Sequence, residues 1–196
     1  GNFSRGIGKV RHMSRTGIID THAHLDDNRF DSDRDQLIEK LVLELDAVIN
    51  QGCTLASSAA SIALAEKYPF VYAAVGIHPE DLATVKDDSY LDQLAAWAAH
   101  PKVVAIGEIG LDYYWKENEP REVQLKRLRQ QVDLARQVHL PVVIHDREAH
   151  GDALAFFLNE GQGVPTVFHC FSGSLEMARE LWKRGIYTGF GGSSTF

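Results

Sequence analysis

From Gly17 onward the chain switches between two hydrophobic periods, and the switch repeats seven times. The short apolar run Ile18-Ile19-Asp20 gives way to DRDQLIEKLVLEL, whose apolar residues recur at helical spacing, and then to the strand-like DAVIN. The helical pattern SSAASIALAEKY follows, and FVYAAVG at residues 70–76 predicts a third strand. Leu91, Leu94 and Trp97 repeat at i, i+3, i+6 ahead of a fourth strand, KVVAIG, at residues 102–107. Pro120 suits the first turn of a helix reaching about Val138, with Val123, Leu125, Leu128, Val132, Leu134 and Ala135 on a broad apolar stripe. PVVIH (141–145) predicts the fifth strand, 152–158 a helix, VPTVFH (164–169) the sixth strand, 175–184 a helix and GIYTGF (185–190) the seventh strand.

Apolar strands separated by helices and short loops imply a parallel sheet covered on its outside by helices. A doubly wound sheet and a barrel both satisfy that pattern. Polar residues stand at the C-terminal ends of the first, fourth, fifth and sixth strands, as in a (β/α)₈ TIM barrel, whose site is assembled from many strand ends. An open sheet gathers its ligands at one switch point instead. Such a barrel needs eight strands and about 250 residues, so the expected fold is an α/β barrel with about seven of its eight strands in this chain. Residues 1–16, GNFSRGIGKVRHMSRT, carry neither period and read as a tag-like or disordered leader, with His12-Met13 resembling a vector-derived junction. Residues 17–196 then form one domain.

Composition narrows the class. The chain has 196 residues, 44% hydrophobic and 24% charged, ordinary for a globular domain with a sizeable core. No apolar run approaches the roughly 18 residues of a membrane span, and the N-terminus lacks a signal-peptide core, so a cytoplasmic protein without membrane attachment is expected. Cys53 and Cys170 each adjoin an apolar run and read as free thiols. A net charge of −7 argues against a broad Lys/Arg face for nucleic acid. A phosphate substrate would have to draw its positive charge from metal ions.

The chemistry begins in IIDTHAHLD, where His22 and His24 stand one residue apart at a strand end and share a face of the strand. Glu108 ends the fourth strand, His145 the fifth and His169 the sixth. Four imidazoles and a carboxylate suit Zn²⁺, Mn²⁺ or a similar ion, and exceed what one tetrahedral ion with an open position needs. Two divalent ions bridged by Glu108 is the economical reading, and hydrolysis of a phosphate ester is its natural chemistry.

Five blocks, DTHAHLD (20–26), AVGIHP (74–79), IGEIGLDYY (106–114), VVIHDRE (142–148) and FHCFSGS (168–174), resemble the signatures of the TatD family of metal-dependent deoxyribonucleases. The resemblance runs from Gly17 to Phe196. It implies an amidohydrolase-type (β/α)₈ TIM barrel and a hydrolase that cleaves DNA, exonucleolytically, from strand ends, using two divalent ions (Mg, Mn or Zn). By position it makes His22, His24, Glu108, His145 and His169 metal ligands, with Glu108 also catalytic. His78, Tyr113, Arg147 and Ser172 fall in blocks lining the family's substrate cleft. The family's eighth strand carries an E-T-D motif whose Asp completes the metal site, and GGSSTF ends this sequence before it. Glu148 stands where the family commonly has Asp.

Other readings remain beside this one. The same barrel could hydrolyse an amide or ester, such as an aminoacyl ester on tRNA, and without the last Asp the chain could be a non-catalytic fragment or pseudoenzyme. No obligate protein partner is evident. Arg121, Lys126, Arg127 and Arg129 read as a solvated outer helix face rather than a phosphate track, and Trp97 and Trp182 as core. Tyr114 and Trp115 follow a ligand strand and could stack on a base or simply pack a loop.

Overall fold

The computed structural model describes residues 17–189. The leader reading of residues 1–16 and the predicted strand end at Phe190 lie outside them. Seven strands form one parallel sheet in chain order: β1 (Ile19–Ala23), β2 (Ala47–Gln51), β3 (Val71–Val75), β4 (Val103–Asp112), β5 (Val142–Arg147), β6 (Thr166–Phe168) and β7 (Tyr187–Thr188). Successive strands are joined through α1 (Arg34–Glu44), α2 (Leu55–Lys67), α3 (Tyr90–Ala98), α4 (Arg121–Val138), α5 (His150–Asn159) and α6 (Leu175–Trp182). Strict sequential order is barrel topology; a doubly wound sheet reverses its order at a switch point. Among the described residues β1 and β7 share no ladder, so the barrel stands open between them. Exposed apolar side chains occur on these flanking elements: Ile18 just before β1 and Ile19 at its start, Tyr187 on β7, Leu175 and Trp182 on α6. Trp182 is therefore not core as expected; its indole N–H reaches Thr188 Oγ1 at 2.9 Å.

The sheet sorts its side chains by the two-residue period of a strand. Ala74, Ala105 and Val143 fill the barrel interior with Ile49 and Val167, a layer of small and branched residues. Val75, Ile106, Ile109, Leu111, Val142, Ile144 and Phe168 point the other way, into the layer shared with the helices. β4 departs from strict alternation once. Ile106 pairs with Val142 and Ile109 with Ile144, three residues against two, which is a β-bulge. Ala105 faces inward before it; Glu108 and Asp112 face inward after it. In a ladder without the bulge, the period that turns Ala105 inward would turn Glu108 toward the helices. Gly107 lies within the bulge because a Cβ there would come within 2.8 Å of Val143 Cβ. Gly110, at φ +144°, lets β4 press on β5: its Cβ would sit 1.9 Å from the His145 carbonyl oxygen.

Two helices fix the loops above the strands. α2 opens with a reciprocal cap: Thr54 Oγ1 accepts from Ser57 N–H at 3.0 Å, and Ser57 Oγ accepts from Thr54 N–H at 2.9 Å. α4 buries polar residues on the face turned to the sheet. Gln131 Oε1 accepts from Ile77 N–H at 2.8 Å, and Gln124 accepts from Asp112 N–H and donates to Asp112 O, both at 2.9 Å. The Arg127 guanidinium also lies inside this surface, 8% exposed, paired with Asp88 at 2.7 Å and stacked over Tyr90 at 5.1 Å. It is thus not part of a solvated outer face. Lys126, Arg121 and Arg129 are exposed as expected.

Candidate metal centre

At the C-terminal mouth of the barrel, the Glu108 carboxylate is 2% exposed and ringed by imidazoles. Its Oε2 accepts from His22 Nε2 at 2.6 Å and lies 3.8 Å from His24 Nε2. Its Oε1 accepts from His145 Nδ1 at 3.2 Å and lies 3.9 Å from His78 Nε2. The His169 ring stacks on His22, centroids 3.2 Å apart and planes 6° from parallel, while His24 meets His22 edge-on at 4.6 Å. The five residues expected to bind metal, drawn from β1, β4, β5, β6 and the turns after them, gather round the Glu108 carboxylate: His22, His24 and His145 face it directly, and His169 joins them by stacking on His22.

Burial alone would raise the Glu108 pKa, but hydrogen bonds from His145 and His22 hold it well below the usual carboxylate range. Burial lowers His24, and pushes His78 and His169 down to about 4, so these rings are neutral near pH 7. His145 goes the other way. Burial works against its charge, yet hydrogen bonds from both ring nitrogens to Glu108 and Asp112 outweigh it and raise the pKa.

Asp112 is the residue that sequence reasoning missed. It is fully buried, its Oδ2 accepts from His145 Nε2 at 2.8 Å and its Oδ1 from Tyr114 N–H at 3.0 Å. A carboxylate on the far nitrogen of a ligating histidine fixes the ring's tautomer and direction. A signal existed: Asp112 is four residues after Glu108, on the same face of one strand. Glu80 was missed too. Burial and a hydrogen bond with the Asp112 carboxyl raise its pKa, and its ligand atoms lie within 4.8 Å of those of His78 and His145. Gln124 and Gln131, buried on α4, hold the backbones of Asp112 and Ile77 and carried no motif.

The four residues expected at the substrate cleft divide. His78 is brought to the site; its Nδ1 accepts from Glu80 N–H at 3.1 Å, which leaves Nε2 as the protonated nitrogen facing Glu108. Arg147, two residues beyond His145 on β5, lies exposed on the same strand face as that histidine. Tyr113 is not brought in. It points to the helix side, where its hydroxyl donates to Asp152 Oδ2 at 2.7 Å, and Arg121 pairs with the same carboxylate. Ser172 is exposed in the segment between β6 and α6.

The donor set fits a divalent cation. His22, His24 and Glu108 offer ligand atoms all within 4.8 Å of one another. The neutral His24, His78 and His169 rings beside two buried carboxylates leave the pocket with lone pairs and negative charge, the complement of Zn²⁺ or Mn²⁺.

A parallel barrel with a His-x-His pair on its first strand, and further His and Glu donors on later strand ends, defines a metal-dependent hydrolase of the TIM-barrel class. Residues 19–196 match the family described as TatD related DNase, and the chain belongs to that family. It is 39% identical over 183 residues to an uncharacterized metal-dependent hydrolase, YabD, of Bacillus subtilis, covering 91% of this chain and 70% of that protein. It is 36% identical over 179 residues to a protein of Cronobacter turicensis named 3'-5' ssDNA/RNA exonuclease TatD, covering 89% of this chain and 66% of that one. Among solved structures, the TatD homologue YjjV of Escherichia coli superimposes with a TM-score of 0.84 at 34% identity, covering 91% of this chain and 70% of that chain. The chain thus spans about two thirds of the length of these relatives.

Proposed function

We propose that the protein hydrolyses phosphodiester bonds of DNA from strand ends with two divalent ions, in the cytoplasm. The observation that carries this reading is the buried Glu108 carboxylate with four imidazoles within 3.9 Å. His22, His24, Glu108, His145 and His169 would hold the ions. Bound divalent ions supply Lewis acidity, which makes a nucleophile of water at neutral pH and offsets the charge gathering on the phosphoryl oxygens. The rest falls to the chain itself. Asp112 keeps His145 turned so that Nδ1 faces the site. His78, neutral and protonated on Nε2, has a donor to give a phosphate oxygen, and Arg147 adds a fixed positive charge at the mouth. The name borne by the Cronobacter relative, an exonuclease of single-stranded DNA and RNA, supports a nucleic-acid substrate. Two further observations support the setting: Cys53 and Cys170 are free, and no helix among the described residues is long and apolar enough to cross a membrane.

The test offers oligodeoxynucleotides labelled at either end to the protein with Mg²⁺, Mn²⁺ or Zn²⁺, with an EDTA control and Glu108→Gln. Metal-dependent shortening from one end that Glu108→Gln abolishes is the expected result. No nucleolytic product with any of the ions, or hydrolysis of an aminoacyl ester by the same preparation and none of DNA, overturns the proposal.

A further inference from the structure

β4 and β5 end side by side at the lip of the barrel, and the residues just beyond the metal centre form a compact stack. Tyr114 and Trp115 are 49% and 46% exposed, and their rings meet edge to face with centroids 4.7 Å apart. The Arg147 guanidinium lies 3.8 Å above the Tyr114 ring and 5.4 Å from that of Trp115. Asp112 and Arg147 are ladder partners, and Tyr113 N–H donates to Arg147 O at 2.9 Å, so the stack is tied to the strand that carries His145.

Two features separate this patch from ordinary loop packing. Arg121, Arg127, Arg129 and Arg136 are each paired with a carboxylate, whereas Arg147, like Arg179 and Arg184, has no such partner among the described residues, and of these three only Arg147 lies over aromatic rings. Its charge is held in place by rings alone, and its N–H edges remain available to an acceptor. The aromatic surface and the unspent cation also occur together, two residues from a candidate metal ligand. A flat apolar ligand joined to an anion matches both halves. A nucleotide has that chemistry, and only an unpaired base can lay its face on a protein ring.

We propose that Tyr114, Trp115 and Arg147 form a subsite for an unpaired nucleotide of single-stranded nucleic acid, its base stacked on the aromatic pair and its phosphate held by Arg147. This rests on the phosphodiester reading of the neighbouring centre, and assigns the holding of the base to Tyr114 and Trp115 and that of its phosphate to Arg147.

The test measures binding in EDTA, where no hydrolysis occurs, of a fluorescein-labelled thymidine octamer, an abasic deoxyribose-phosphate octamer and an octamer duplex. The wild-type protein is expected to prefer the thymidine octamer to both others. In Trp115→Ala the ratio of thymidine to abasic affinity is expected to fall about tenfold, as for loss of one base stack, and in Trp115→Phe to recover most of it. Arg147→Met should weaken both single strands alike and flatten the salt dependence. An unchanged ratio in Trp115→Ala, equal binding of duplex and single strand, or no octamer binding by the wild type overturns the subsite. Octamer binding that depends on Trp115, with no cleavage once Mn²⁺ is added, overturns the hydrolytic reading and leaves the subsite standing.

Discussion

Replacing Asp112 by asparagine removes one charge and almost no volume, and its effect on metal affinity can be worked from a few contacts. In the wild type, Asp112 Oδ1 accepts from Tyr114 N–H and Oδ2 from His145 Nε2, at 3.0 and 2.8 Å. An amide has one acceptor oxygen, so in Asp112→Asn the side chain must turn its NH₂ toward one of these donors. With the NH₂ facing Tyr114 N–H, two donors are opposed in a fully buried place. With the NH₂ facing His145, the amide is satisfied only if Nε2 gives up its proton, which moves the proton to Nδ1, the nitrogen that faces Glu108 at 3.2 Å. Either outcome costs about 1–3 kcal/mol, and the second takes the lone pair away from the ion. Loss of such a supporting carboxylate typically lowers metal affinity about 10- to 100-fold, roughly 1.4 to 2.7 kcal/mol. The assay is calorimetric titration of Mn²⁺ or Zn²⁺ into metal-free protein at about pH 8, for the wild type, Asp112→Asn, His145→Ala and the double variant. The expected result is a loss in that range for Asp112→Asn that shrinks to within about twofold in the His145→Ala background. Asp112→Asn binding as tightly as the wild type, or an equal loss in both backgrounds, would refute the coupling.

Three further outcomes are expected. Arg127→Ala, which removes a buried side chain stacked on Tyr90 and paired with the exposed Asp88, should cost about 1–2 kcal/mol, read as a lower urea midpoint at unchanged slope. His78 is buried and neutral when folded, with its pKa pushed down to about 4 against about 6.5 unfolded; the unfolded chain therefore takes up a proton first as the pH falls. This residue's contribution to the stability of the metal-free protein is full above about pH 6.5 and declines toward pH 4, by about 3 kcal/mol, whereas raised His145 acts with the opposite sign. Urea midpoints of wild type and His78→Gln across that window should converge as the pH falls. Gly110→Ala should destabilise the fold and weaken metal binding together, because its methyl would collide with the His145 carbonyl; a melting temperature indistinguishable from wild type would rule out the collision.

Much of this was legible in the sequence because strands and helices write different periods, and because ligands at strand ends interrupt apolar runs. His22, His24, His145 and His169 could be placed by that rule alone. Glu108 was placed by the same rule, as the end of the fourth strand, although strict alternation from Ala105 puts it on the wrong face; a bulge leaves no mark on a period that is only a few residues long. Arg127 and Trp182 went the other way from expectation for a common reason. Residue type predicts burial on average, while Arg127 lays its buried side chain over Tyr90 and reaches the exposed Asp88 carboxylate, and Trp182 stands at an open flank of the sheet. Asp112 stood inside a quoted motif but was overshadowed by the aromatics after it, and the helix glutamines that grip Asp112 and Ile77 are visible only once α4 is docked.

The bulge in β4 also bears on how such a site can be lost. Its geometry depends on a count as well as on identities. If the same ten residues of β4 paired in a regular ladder, with no residue bulged out, every position after Gly107 would turn to the other face. Glu108 and Asp112 would then face the apolar helix layer, and Ile109 and Leu111 would line the cleft. One residue accommodated outside the ladder therefore separates a negatively charged socket from an apolar one, a difference that no comparison of ligand residues alone would reveal.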